Sequence, residues 1–405
     1  MTSPTPRVPR AVFLFGATSF VNDFASEMIY PLLPAFVTRT LGGGALALGI
    51  LDGVADAVAA GFKLVSGYLA ERPRLRAPLV VAGYGIAAVI RPLIAAAGAA
   101  WHVIALRGVD RVGKGIRTAP RDTMIAEVSP AEIRGRAFGL QRAADHAGAI
   151  IGPLTAAGLI YLGVGLRPVF WVAAVPGLLA VLIAWVAVRE AGVGGQGSGV
   201  SEGQDPNPYT LTPNPSSQGF ASLTAVLVLA TFLRAPETLL ILRAQDLGIA
   251  VPLVPILWAA LHVVRSSTSF AGGALADRWG PRRTLAVGWL VYAGLALAFA
   301  VARTTVLAWV IFLAFGLFVG LTESPERKLV AELAPGGRRG RGFGWYHGSL
   351  SAVALPGAAL FGWIYQNRGA APALEASAVV TLLAVLALPL SSSRSASRPP
   401  LRSGG

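Results

Sequence analysis

Residues 134–139 read RGRAFG, and residues 339–344 read RGRGFG, 205 positions later. Outward from there, the same offset pairs Gly115 with Gly320, Pro120 with Pro325, Glu127 with Glu332, Pro130 with Pro335 and Gly152 with Gly357. At an offset of 206, residues 67–72, GYLAER, meet residues 273–278, GALADR. A correspondence without gaps from residue 115 to residue 152 is not a chance event, and it marks an internal duplication. The chain is read as two copies of one unit.

Composition says what the unit is. Of 405 residues, 54% are hydrophobic and 13% charged, against about 25% charged in an average soluble protein. Continuous apolar windows recur, for example 79–100, 169–188, 285–302 and 379–390. The first three approach the roughly 20 residues that cross a bilayer as a helix, and the last is the apolar centre of a longer span. The runs are continuous rather than alternating, which argues against a β-barrel. Twelve spans are predicted: 11–38, 45–70, 77–98, 101–126, 135–162, 167–188, 220–243, 250–276, 284–302, 305–331, 340–366 and 371–390. The expected fold is therefore an all-α membrane protein of two six-helix bundles, residues 1–190 and 220–391. Segment 191–219, rich in Gly, Pro, Ser and Asn, is expected to be a flexible cytoplasmic linker, and 392–405 a disordered tail.

Orientation follows from the loops. With the N-terminus inside, the inner loops and tails hold 17 Lys and Arg; the outer loops hold five, Arg39, Arg167, Arg243, Arg303 and Arg368. This bias places both termini in the cytoplasm, on the inner side of the membrane. It also explains the net charge of +14 without nucleic acid. The first apolar stretch carries Asn22, Asp23 and Glu27 and is read as an uncleaved first helix. There is no cysteine and there are four scattered histidines, so no disulfide, metal or other cofactor is expected.

One predicted span is anomalous. Residues 107–122 read RGVDRVGKGIRTAPRD. The run from Gly108 to Gly115 nearly spells a phosphate loop, but Gly115 stands where a hydroxyl is needed and no strand precedes it. On a helix, Arg107, Asp110, Arg111, Lys114, Arg117, Arg121 and Asp122 fall within roughly 140° of arc. A charged stripe inside a membrane must face protein or water. Arg117, Arg121 and Asp122, near the inner end, are read as structural. The deeper Arg107, Asp110, Arg111 and Lys114 are read as part of a transport pathway.

Neighbouring spans supply partners. Asn22, Asp23, Glu27 and Tyr30 lie on helix 1, Asp52, Asp56 and Lys63 on helix 2, and Gln141, Arg142, Asp145 and His146 on helix 5. The second half is sparser, with Arg234, Glu237, His262, Arg265 and Glu323. Carboxylates in a wet cavity beside bases can exchange protons. Asp23, Glu27, Asp52, Asp56 and Asp145 are therefore candidates for proton coupling, and Asp23, Glu27 and Asp145, with His146 as a relay, are the expected coupling set. Asn22, Asp52, Asp56, Arg107, Asp110, Lys114, Arg142, Arg234, Glu237, His262, Arg265 and Glu323 are expected to line the substrate cavity.

Several motifs resemble those of the major facilitator superfamily over essentially the whole chain. Residues 273–283, with Gly273, Asp277, Arg278, Gly280 and Arg282, are similar to that family's loop 8–9 signature. The loop 2–3 copy, with Gly67, Glu71 and Arg72, has Glu for Asp and lacks the second Gly. Arg111-Val-Gly-Lys114-Gly115 resembles the helix 4 motif, with Lys for the usual Gln, and the resemblance implies a proton-coupling role for Arg111; Gly148, Gly152 and Pro153 resemble the antiporter motif of helix 5. The resemblance, closest to a prokaryotic subgroup, implies alternating access. The expectation is a non-enzymatic, monomeric transporter in the lipid bilayer that exchanges a small molecule for protons, most simply as efflux. The rival is uptake or exchange of an organic anion clamped by the helix 4 stripe; a metal exporter or a membrane sensor is more distant.

Overall fold

The computed structural model describes residues 8–130, 133–195, 218–333 and 339–391. The tail 392–405 and most of segment 191–219 lie outside the described residues. Among the described residues there is no strand.

Twelve long helical segments follow in order: α1 Arg10–Ile29, α2 Ala45–Leu69, α3 Pro73–Leu93, α4 Ala100–Val128, α5 Arg134–Tyr161, α6 in two pieces, Leu166–Val172 and Ala174–Gly195, α7 in two pieces, Gln218–Phe232 and Glu237–Asp246, α8 Val254–Trp279, α9 Pro281–Val301, α10 Thr305–Leu333, α11 Arg339–Arg368 and α12 Ala370–Ala387. Ten of them are long and apolar enough to cross a membrane. The other two are α1, with its Asn22–Glu27 polar cluster, and α4, with the charged stripe. Beyond Ile29 the chain stays helical but irregular to Thr40, through a 3₁₀ turn at Tyr30–Leu32 and a π turn at Phe36–Thr40. Pro31 and Pro34 lack the N–H groups that a regular helix would need there.

In the N-terminal half α1 packs on α5 and α6, and α4 on α2 and α3; in the other, α10 packs on α8 and α9, and α12 on α9. Glycines set the closest approaches. Gly148 and Gly152 lay α5 directly on the backbone of α1 at Phe20 and Phe24. Between halves, Gly49 and Gly53 of α2 meet Ala358 and Leu355 of α11, and Gly362 of α11 meets the backbone at Ala45. A side chain at any of these positions would hold the helices apart.

The inter-half contacts concentrate at one end, away from Arg10 and the loops at 70–72 and 280. There Leu46 N–H donates to the Gln366 side chain at 3.0 Å, and the larger hydrophobic core runs across both halves, from Met28 and Leu51 to Leu261 and Phe361. At the opposite end the smaller core, with Val12, Phe15, Val80 and Ile125, belongs to the N-terminal half alone. Among the described residues, the halves meet at the first end and are parted at the second.

The two motif-bearing turns at the parted end differ. The second copy runs helical to Trp279 and turns on Gly280 alone, at φ 87°, where an L side chain is strained. The first stops at Leu69 and restarts at Pro73 after an extended Arg72 at φ −89°. Its missing second glycine follows from that route, because no left-handed residue is required.

Candidate functional site

A cavity of about 430 Å³ lies between the halves. Three helices build its N-terminal wall: α1 with Glu27 and Tyr30, α2 with Asp56, Ala59, Ala60 and Lys63, and α4 with Arg107, Arg111 and Lys114. The other wall comes from α7 with Thr231 and Glu237, α8 with Trp258, His262 and Arg265, and α11 with Leu350, Ser351 and Ala354. Spacing explains the selection. Arg107, Arg111 and Lys114 recur at i, i+4 and i+7, and so do Trp258, His262 and Arg265, so each set forms one helix face. An adjoining hollow of about 330 Å³ shares Tyr30, Asp56, Arg107, Arg111 and Glu237 with the first and reaches Asp52 and Arg234.

Most charged groups in the cavity have partners. Glu237 pairs with Arg265 across α7 and α8. Glu27 accepts the Trp258 indole N–H at 2.8 Å, which ties α1 to α8. Asp52 accepts from Tyr30 at 3.3 Å and from both the backbone N–H and the hydroxyl of Thr238, at 3.0 and 2.8 Å. Those last bonds stand where α7 restarts after its break, so a carboxylate of one half caps a helix of the other. The Arg107 guanidinium lies over the Tyr30 ring at 4.8 Å, and Trp258 meets the Tyr30 ring at a tilt and the His262 ring edge-on. Asp56 differs: among the described residues no hydrogen bond or cation within 4 Å reaches it, and it is exposed to the cavity.

Other residues singled out from the sequence lie outside this lining. Asp110 is fully buried within the N-terminal half. It binds Arg91 of α3 at 2.8 Å, with Arg107 at 3.4 Å and Arg111 at 4.0 Å. Arg91 also donates to the Asn22 backbone oxygen and side chain at 2.9 and 3.0 Å. Arg117 donates to Asn22 at 3.3 Å and to the Gly83 carbonyl at 3.1 Å, and it lies over Tyr84. This cluster fastens α1, α3 and α4 into one block. Asp23 takes the Asn22 amide at 2.8 Å. Asp145 is held by Gln141 at 2.7 Å and Arg142 at 3.7 Å, while Arg121 pairs with Asp122 at 2.8 Å. His146, Arg142 and Glu323 are exposed. Arg234 stands 4.0 Å from Glu326, which also accepts the Tyr346 hydroxyl at 2.9 Å. Of the two loop signatures, Gly67 lies buried in the last turn of α2, Glu71, Arg72 and Arg278 are exposed, Arg282 is half-buried, and Asp277 pairs with Lys328 of its own half at 2.6 Å.

Sequence reasoning passed over Arg91, Thr231, Trp258 and Thr238. Arg91 did leave a signal, as a lone arginine in an apolar span next to a span carrying Asp110. Thr238 left none, since its part depends on where α7 breaks.

The family model "Major Facilitator Superfamily" matches residues 15–346 and again 220–404. The chain belongs to the major facilitator superfamily. It is a multi-pass membrane transporter and not an enzyme. An MFS-type transporter of Methanocaldococcus jannaschii is 28% identical over 369 residues, covering 88% of each chain. A Mycobacterium tuberculosis protein is 32% identical over 385 residues, covering 90% of this chain and 89% of its own. The multidrug resistance protein MdtG of Yersinia enterocolitica is 28% identical over only 45% of this chain and 44% of its own. Among solved structures, a bacterial homologue of the human lysosomal transporter Spinster, inward-facing and unoccupied, superposes with a TM-score of 0.76 at 15% identity over 95% of this chain and 98% of its own. The nucleoside transporter NupG superposes at 0.74 and 13% identity over 94% and 99%. These two likenesses concern the fold.

Proposed function

We propose that this chain moves a small molecule through the central cavity by proton-coupled alternating access, with Asp56 as the carboxylate that takes up and releases the proton. The observation that carries this reading is the environment of Asp56. The cavity carboxylates Glu27, Asp52 and Glu237 are each engaged by a protein donor. Asp56 is not, and it faces the cavity within reach of water and cargo. A carboxylate without a fixed donor loses least on protonation, and that suits it to coupling. Asp23, Asp145 and His146 line no part of the cavity, which favours Asp56 over them. Glu27 shares the cavity, and its bond to Trp258 makes it the candidate for reporting protonation to the inter-half contact. Arg111 stands on the same wall as a counter-charge.

The cavity is parted toward the end that carries the termini and the basic loops. The positive-inside bias supports a cytoplasmic assignment for that end, and loading from the cytoplasm with export is the direction we propose. Relatives named for multidrug resistance, which match less than half of the chain, support the same direction.

The test uses full-length protein in liposomes with a trapped pH-sensitive dye and a metabolite extract of the host as cargo. Wild type should couple cargo movement to proton movement. Asp56→Asn should stay folded by thermal melting yet lose the dye response to an imposed pH gradient. A response equal to wild type in that variant overturns the coupling assignment.

A further inference from the structure

The charges lining the cavity do not balance. Lys63, Arg107, Arg111, Lys114 and Arg265 face Glu27, Asp56 and Glu237, five cations against three carboxylates. The pairing map widens the gap. Arg265 takes Glu237, and Glu27 is taken by an indole N–H. Arg107 and Arg111 share a single carboxylate, Asp110, with Arg91, which holds its shortest contact. Among the described residues, neither Lys63 nor Lys114 has an ion pair within 4 Å, and Arg107 Nε is buried without a hydrogen-bond partner. The positive excess therefore sits on one wall, the face formed by α2 and α4.

The backbone keeps that excess together. Gly115 has no side chain, so α4 lies against Ala59 and Phe62 of α2, and the Ser66 hydroxyl donates to the Gly115 carbonyl at 2.8 Å. This crossing sets Lys63 and Lys114, each beside a contact residue, on the same wall at neighbouring levels. Two ammonium groups held near each other in a membrane interior are unfavourable unless an anion joins them. Nearby acids do not fill that need: Asp122 is held by Arg121, Asp23 lies near Lys114 but makes no ion pair with it within 4 Å, and Asp56 remains one charge against several. A volume of about 430 Å³ suits a metabolite-sized guest.

We propose that the cargo is a small organic anion, gripped by Lys63 and Lys114 with Arg111 beside them. This rests on the reading of the cavity as the transport site. The ammonium groups act as mobile point charges and Arg111 as a fixed fork, so a carboxylate or phosphate head fits the wall.

The experiment separates a host metabolite extract by ion exchange into anionic, neutral and cationic fractions. Each is loaded into liposomes bearing the full-length protein, a pH gradient is imposed, and released species are identified by mass spectrometry. Release from the anionic fraction is expected. It should fall roughly tenfold or more in Lys63→Gln and in Lys114→Gln, the scale of one lost charge-assisted hydrogen bond. The double variant with arginine at both positions should keep most of it, which also covers the case in which the glutamine variants fail to fold. Release confined to the neutral or cationic fraction overturns the anion assignment while leaving transport intact. Anion release that a folded Lys63→Gln, Lys114→Gln double variant does not alter overturns the grip. No release from any fraction overturns the transport reading itself.

Discussion

The two halves are copies in backbone and strangers in charge. Gly152 of α5 rests on the backbone of α1 at Phe24, and Gly357 of α11 rests on the backbone of α7 at Phe232. These glycines stand 205 residues apart, so the duplication kept the close approach. At the same offset Arg121 faces Glu326, and Gln141 faces Tyr346. The N-terminal half holds a buried cluster of Arg91, Arg107, Arg117, Asp110 and Asn22. Its counterpart holds Arg234 and Glu326 at 4.0 Å, helped by one tyrosine. Helix packing allows few solutions, whereas a polar interior needs only that its groups be satisfied. One half became a rigid charged wall, the other a plainer and more aromatic one.

The sharpest way to break that contrast is to remove the central carboxylate of each half. Asp110→Asn leaves Arg91 and Arg107 buried with no counter-charge. Breaking a buried pair on one side costs about 3–5 kcal/mol. Glu326→Gln keeps an acceptor for Tyr346 and loses an ion pair already stretched, and should cost about 1–2 kcal/mol, a hydrogen bond to a charged group at most. Thermal or denaturant melting in detergent measures both. Equal losses would mean that the N-terminal cluster is no firmer than its counterpart.

The next pair asks whether packing is shared as the repeat implies. Gly152→Val and Gly357→Val each force a branched side chain onto a backbone oxygen of the neighbouring helix. Overpacking of this kind costs about 1–3 kcal/mol, and the two losses should agree within about 1 kcal/mol. A neutral result at one site would show that its helix pair can slide apart, as a moving element would.

These two pairs also mark what could be read without coordinates. The packing half was legible: the offset of 205 named both glycines, and hydropathy placed their helices. The cavity was legible in part. Arg107, Arg111 and Lys114 share a helix face with each other, and Asp52 lies one turn from Asp56, so periodicity brought them out. Asp110 shares the same arc, but an arc of roughly 140° is wide enough to face both a cavity and the next helix. Which it faces depended on Arg91, three residues before the 3₁₀ turn Ile94–Ala96 that follows α3. Asp145 was placed by depth along α5, yet its azimuth turns it to Gln141. Tyr30 stands out with the polar residues of helix 1, whereas Trp258 reads from sequence as an ordinary span aromatic, and only its bond to Glu27 marks it.

A smaller difference concerns a single hydroxyl. Tyr346→Phe removes the bond to Glu326 and leaves the ring buried, which should cost about 1–2 kcal/mol. Gln141→Leu in the N-terminal half removes bonds to both Ser19 at 3.0 Å and Asp145 at 2.7 Å, and should cost at least as much. Melting of the two variants side by side gives the order; a costlier Tyr346→Phe would make the C-terminal pair the tighter one.

The least effect is expected where the halves most resemble each other, at the parted end. Arg76 at the start of α3 meets Glu127 of α4 at 2.5 Å, and Asp277 at the end of α8 meets Lys328 of α10 at 2.6 Å. Each pair closes a loop within its own half. Glu127 is 52% exposed and Asp277 75%. Exposed pairs of this kind contribute about 0–1 kcal/mol and weaken with salt. Glu127→Gln should sit at the upper part of that range and Asp277→Asn at the lower, because Arg76 is buried further by its bond to the Ala70 carbonyl at 2.6 Å. Both differences should shrink when melting is repeated in high salt. A loss above about 2 kcal/mol for Asp277→Asn could not come from the pair seen here. It would require the loop to carry a second contact across the halves in a state where this end is closed.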